Sequence, residues 1–167
     1  VYEHILAVQP GHAESLHLLG VIATQQGEYE RAVELIGRAV ALQPAAAHYQ
    51  SNLGEAHRRA GRVEEGIGWF KRALAIQEMY PDAYTNMGLA LMEAGRAEEA
   101  LAAFKRVAEL APERSTAYSN MGDALAKLGR EEEAKAAYGR ALALNPRSAA
   151  ALNNLANFCV VEGKLEE

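Results

Sequence analysis

Apolar and small residues return along this chain at helical spacing, and the whole pattern restarts every 34 positions. "AYTNMG" at residues 83–88 comes back as "AYSNMG" at 117–122, with only Thr85 exchanged for Ser119. A fixed period of this length predicts a stack of like building blocks rather than one continuous core. Residues 81–114 show what one block contains. Tyr84, Met87, Gly88 and Leu91 fall on one helical face, and Gly95 stops that helix as a left-handed C-terminal cap. "RAEEA" then opens a second helix, with Glu98 and Glu99 in the first turn, where carboxylates suit the dipole. Ala100, Phe104 and Val107 form its apolar stripe, Lys105 and Arg106 lie towards its C-terminal half, and Pro112 marks the exit. Each period therefore predicts two helices.

Interlocked series extend the register over the chain. Prolines stand at Pro10, Pro44, Pro112 and Pro146, and glycines at Gly27, Gly61, Gly95, Gly129 and Gly163. Gly20, Gly54, Gly88 and Gly122 form a second set, with Ala156 in the fifth place. The second helix carries a small residue at Ala32, Gly66, Ala100 and Ala134, and a large one four places on at Ile36, Phe70, Phe104 and Tyr138. Small residues at Gly88 and Ala100 let paired helices approach closely. This pattern resembles the tetratricopeptide repeat, a 34-residue helix–turn–helix. The resemblance implies an all-α, right-handed superhelical solenoid of antiparallel helix pairs. Residues 1–167 are then expected to be a single array: 1–12 ends a preceding repeat, 13–46, 47–80, 81–114 and 115–148 are full, and 149–167 begins a fifth.

Departures from the pattern gather in the second repeat. Glu78 stands where the closing proline belongs, and Pro81 instead opens the next helix, where its missing N–H costs little. Gln50 replaces the usual large apolar residue, and Gly66 and Gly68 loosen their helix by up to roughly 1 kcal/mol each relative to alanine. This repeat is expected to be the least regular, with its second helix ending by Tyr80, since a residue before proline avoids helical angles.

Composition narrows the function. Net charge is −5 with acids and bases interspersed, so no basic footprint for nucleic acid or anionic membrane is present. No apolar run approaches the roughly 18 residues of a membrane span. One cysteine, Cys159, excludes an internal disulfide. The chain starts at Val1 without a signal-like segment and reads as a piece of a longer protein, for which a cytoplasmic location is the default expectation.

No catalytic, cofactor-binding or metal-binding constellation is expected. His17 and His48 lie on the first helices of adjacent repeats and can approach one another, but a metal needs more ligands at closer spacing, so both read as exposed groove residues. Cys159 reads as an inert buried thiol, Trp69 as a partly buried packing residue, and "EEE" at 131–133 as a solvated helix start.

The first helix of each repeat has a second face, formed by its second, fifth, sixth, ninth, twelfth and thirteenth residues. The resemblance implies that this face lines a concave groove. Its sixth place holds Leu18, then Asn52, Asn86, Asn120 and Asn154. A carboxamide can accept from a peptide N–H and donate to a peptide C=O, so this ladder, with Asn153 and Asn157 beside it, suits the main chain of an extended ligand. Bonding of the asparagines to a neighbouring repeat is the competing role. Glu55 and Asp123 are expected to face ligand side chains. The strings "NLG", "NMG" and "NNLAN" are similar to the superhelical arm of O-GlcNAc transferases, which implies substrate recruitment for an enzyme domain absent from these residues. A carboxylate clamp is disfavoured, because the second, fifth and sixth places of the four repeats carry no lysine or arginine. The expected role is a non-catalytic scaffold for protein or extended peptide. Leu152, Leu155 and Cys159 at one end, and Tyr2, Ile5 and Leu6 at the other, are expected to lack covering helices, and so either to stack head to tail on other copies or to fray.

Overall fold

A computed structural model describes residues 2–163, with side chains through residue 156. Every regular element among them is a helix: α1 (Tyr2–Val8), α2 (Ala13–Gln26), α3 (Tyr29–Leu42), α4 (Ala47–Arg59), α5 (Val63–Ile76), α6 (Pro81–Glu93), α7 (Ala97–Leu110), α8 (Ser115–Lys127), α9 (Glu131–Leu144) and α10 (Ala149–Gly163). The helices gather into two compact units, residues 1–94 and 95–167. In the first, each helix from α1 to α6 packs on the next, and α2, α4 and α6 also touch in a row. In the second, α7 to α10 pack in sequence, and α8 also touches α10. First helices thus form a row within each unit.

The reversal inside each repeat is set by one backbone conformation. Gly27, Gly61, Gly95 and Gly129 all adopt φ between 71° and 81°, the left-handed region that a side chain resists. The following residue then donates back across the helix end, as Arg62 N to His57 O and Arg130 N to Leu125 O do, both at 2.9 Å. These bonds satisfy carbonyls that a helix end leaves open. Acidic residues occupy the first turn of α5, α7 and α9, opposite the partial positive charge there.

Packing within a repeat depends on a missing side chain facing a large one. A Cβ on Gly20 would sit 2.4 Å from Ile36 Cγ1, one on Gly54 2.8 Å from Phe70 Cε1, and one on Gly122 2.5 Å from Tyr138 Cε1. Ile36, Phe70, Phe104 and Tyr138 are all buried, with Ala100 and Val107 beside Phe104 in sequence and equally enclosed. The α4–α5 pair is closer still. A Cβ on Gly66 would lie 2.8 Å from the Gly54 carbonyl oxygen, so backbone meets backbone. Gly68 on the same helix has open space at that position. Gly68→Ala is therefore expected to stabilise the protein by up to about 1 kcal/mol, through helix propensity alone. Gly66→Ala should instead destabilise it, because a rigid carbonyl cannot yield as a side-chain tip would. Urea denaturation of the two variants side by side checks the opposite signs.

The irregularity expected in the second repeat is confined to one turn. Helices α3, α5, α7 and α9 each have 14 residues, and α5 ends at Ile76, ahead of Tyr80. At the proline-containing links a turn bond closes the loop, as from Ala46 N to Gln43 O at 3.1 Å and Arg114 N to Ala111 O at 3.0 Å. The equivalent bond from Tyr80 to Gln77 is absent among the described residues. Pro81 holds Tyr80 at φ −128°, against −82° for Ala46 and −78° for Arg114. Gln50 fits because its Nε2 donates to the Pro44 carbonyl at 2.6 Å, as the Tyr118 hydroxyl does to that of Pro112 at 3.2 Å. Trp69 is half-buried against the core, with the Arg72 guanidinium 4.4 Å above its ring. Leu152 on α10 is 47% exposed, and Cys159 lies outside the described side chains.

Candidate functional site

In the first unit α2 and α4 border an open cleft of about 410 Å³, lined by Val21, Thr24, Gln25, Tyr29, Asn52, Glu55 and Arg59. Counting from Ala13 and Ala47, six of the seven occupy the sixth, ninth, twelfth or thirteenth place of a first helix. Tyr29, the first residue of α3, is the exception. Helical spacing puts those six on one face, whereas the tyrosine comes from a different helix and needed the tertiary fold to bring it in.

The predicted residues divide into those held by the protein and those left open. Asn52 Nδ2 lies 2.7 Å from His17 Nε2 of the preceding repeat. In the second unit Asn154 Nδ2 donates to Asp123 Oδ1 at 2.7 Å, and the same oxygen accepts from the Tyr138 hydroxyl at 2.7 Å. Half of the ladder therefore bonds to a neighbouring repeat, the competing role set out above, although each carboxamide keeps further donor and acceptor capacity. Asn86 and Asn120 are half-buried and make no side-chain hydrogen bond among the described residues. Asn153 is exposed, and the side chain of Asn157 lies outside the described residues.

Both predicted acidic positions are engaged within the protein. Glu55 receives Arg58 through Nε and Nη2 at 2.8 Å each and Arg59 through Nε at 2.8 Å, while Arg58 also reaches Glu93 of α6. Burial alone would raise the Glu55 pKa, but the bonds from Arg58 and Arg59 outweigh it and hold the carboxyl below its ordinary value. A depressed folded pKa means stability that is present above the unfolded value of about 4.5 and is lost as pH falls through the folded one. Glu55→Gln is expected to lower stability near neutrality and to flatten its decline below about pH 4.5, as thermal melts across that range would show. Asp123 is held by two donors that tie α8 to α9 and α10. Burial first, and then the Asp123 bond and charge, push the Tyr138 hydroxyl well above the usual tyrosine range.

At the start of α2 and α4 the sequence reading requires a correction. His17 is not an exposed groove residue but is 5% exposed, enclosed by His48 and Tyr49. Burial, aided by the neighbouring His48, disfavours its charged form against the opposite pull of Glu14. Glu14 accepts from the fully buried Tyr49 hydroxyl at 2.7 Å, and burial followed by that contact pushes the Tyr49 pKa up to about 12. The part played by Glu14 was missed in the sequence. Its signal was the register: Glu14 and His48 stand 34 residues apart, and Glu14 precedes His17 by one helical turn.

Sequence profiles of the tetratricopeptide repeat match residues 17–84 and 81–147, which together take in most of the chain. The chain belongs to the tetratricopeptide-repeat family. No curated protein matches it. Among solved structures it is similar to that of MamA, at 27% identity over 89% of this chain and 86% of MamA, with a TM-score of 0.81. YrrB, described as a tetratricopeptide-repeat protein with an unusual peptide-binding site, shares the fold at 22% identity and a TM-score of 0.78, over 91% of this chain and 78% of its own. A thermophilic tetratricopeptide-repeat protein of Thermus thermophilus, TTC0263, does so at 23% identity and 0.77, over 95% and 87%. The fold is accordingly an all-α solenoid of antiparallel helix pairs. No helix among the described residues is long and apolar enough to cross a membrane.

Proposed function

We propose that this tetratricopeptide-repeat chain is a non-catalytic scaffold that binds protein or extended peptide segments on the groove face of its first helices. The cleft between α2 and α4 carries the reading: it is open, and hydrogen-bonding side chains alternate there with the apolar Val21 and the ring of Tyr29. Such a lining suits a main chain and a side chain presented together. Half-buried Asn86 and Asn120, whose amides make no hydrogen bond among the described residues, supply the same chemistry on α6 and α8. Neighbouring folds support the class of partner, since YrrB is described as having a peptide-binding site and the first repeat domain of Spaghetti (RPAP3) is seen with the HSP90 peptide SRMEEVD. That acidic peptide is not the expected ligand here, because Glu14, His17, His48, Ser51 and Asn52 stand where fixed cations would be wanted.

The test is titration of a set of unrelated extended peptides against wild type, Gln25→Ala/Arg59→Ala, Asn86→Ala and Asn120→Ala, with circular dichroism as the folding control. Each lost hydrogen bond is worth about 0.5–1.5 kcal/mol, so affinity should fall roughly two- to tenfold per bond and by a similar factor for every peptide. Unchanged affinities in folded variants would overturn the reading.

A further inference from the structure

We infer that Glu14, His17 and His48 form a binding site for a divalent transition-metal ion, zinc in the first instance, joining α2 to α4. One carboxylate oxygen of Glu14 and one imidazole nitrogen each of His17 and His48 all lie within 4.8 Å of one another. Two imidazoles and a carboxylate are the donor set that borderline cations such as zinc prefer, and three protein ligands leave a coordination position for water. Glu14 and His48 are exposed, so the cluster is open to solvent and an ion can enter directly.

Two further observations separate this cluster from a chance meeting of surface side chains. His17 is 5% exposed, yet its Nδ1 is a buried nitrogen with no hydrogen-bond partner. An unpaired buried polar atom of this kind costs free energy that a bound ion would recover. Second, the other atoms of two ligands are already held. His17 Nε2 is engaged by the Asn52 carboxamide, with Nδ2 at 2.7 Å, which leaves Nδ1 as the nitrogen for the metal; a turn of that carboxamide to present its oxygen to Nε2–H frees the Nδ1 lone pair. Glu14 Oε2 accepts from Tyr49 at 2.7 Å, which leaves Oε1 for the metal. Outer partners of this kind orient metal ligands and set their tautomer.

The separations require a modest contraction. Bonds of about 2.0–2.2 Å in a tetrahedral site place ligand atoms roughly 3.3–3.6 Å apart. Tyr49 and Asn52 hold the Glu14 and His17 ends, so the movement falls to the exposed His48, whose ring stands edge-on to His17 at 85°. Rotation of one surface imidazole can supply it.

Equilibrium dialysis of the whole chain with zinc sulfate, and cobalt(II) titration followed by visible absorption, test the site. The expected result is one tightly held zinc per chain and the intense absorption of tetrahedral cobalt. His48→Ala and Glu14→Gln, each shown by circular dichroism to remain folded, should abolish it, and the exposed His4→Ala should not. Tyr49→Phe should weaken binding roughly tenfold by freeing the carboxylate. Absence of stoichiometric binding would overturn the inference, as would binding that His48→Ala and Glu14→Gln leave unchanged; His17, His48 and Tyr49 would then be a packed aromatic cluster only.

Discussion

Gly122→Ala is expected to destabilise the protein by about 1–3 kcal/mol as an overpacking change. The same substitution in a Tyr138→Ala background should stabilise it, by up to about 1 kcal/mol of helix propensity. The reversal follows from what the new methyl group meets. In the native chain the three nearest atoms are Tyr138 Cε1, Cδ1 and Cζ at 2.5–2.7 Å, well inside contact distance. The ring cannot swing away, because it is 2% exposed and its hydroxyl is bonded to Asp123. Once the ring is gone those atoms are gone, and the methyl enters the space left behind. Tyr138→Ala alone should cost about 3–5 kcal/mol, as for other large buried aromatic residues. Urea denaturation of the four proteins in the cycle measures the coupling. A Gly122→Ala effect of the same sign in both backgrounds would show that the glycine serves backbone flexibility rather than the fit of the ring.

Asn52→Ala should cost about 1–3 kcal/mol, while Asn86→Ala should be neutral or slightly stabilising, although both replace the sixth residue of a first helix. Asn52 is the only hydrogen-bond partner of the buried His17 among the described residues, and without it both ring nitrogens are unsatisfied. Asn86 makes no such bond, so alanine there removes nothing from the folded chain and is the better helix former. Thermal and urea denaturation of both variants distinguishes the roles. Equal costs at the two positions would mean that the asparagine serves the repeat itself.

That contrast marks how far the sequence alone reaches. Two helices per 34 residues, their turns at Gly27, Gly61, Gly95 and Gly129, and the stripe of Ala100, Phe104 and Val107 were all legible, because each follows from local backbone preference and helical spacing. Six of the seven residues that line the α2–α4 cleft stand at the sixth, ninth, twelfth or thirteenth place of a first helix, a face that helical spacing defines. What the tertiary structure alone decided concerns distances between helices. Gly66 and Gly68 are the same residue two places apart, yet one meets a carbonyl and the other open space. His17 looked like a surface residue until α4 brought Tyr49 and His48 over it. Asn52 and Asn86 are the same letter at the same place, and only the residue opposite, His17 in one case, separates a structural rung from an open one. Sequence periodicity fixes which face a side chain occupies; its partner is set by the neighbouring helix, whose distance and side chains are properties of the packed fold.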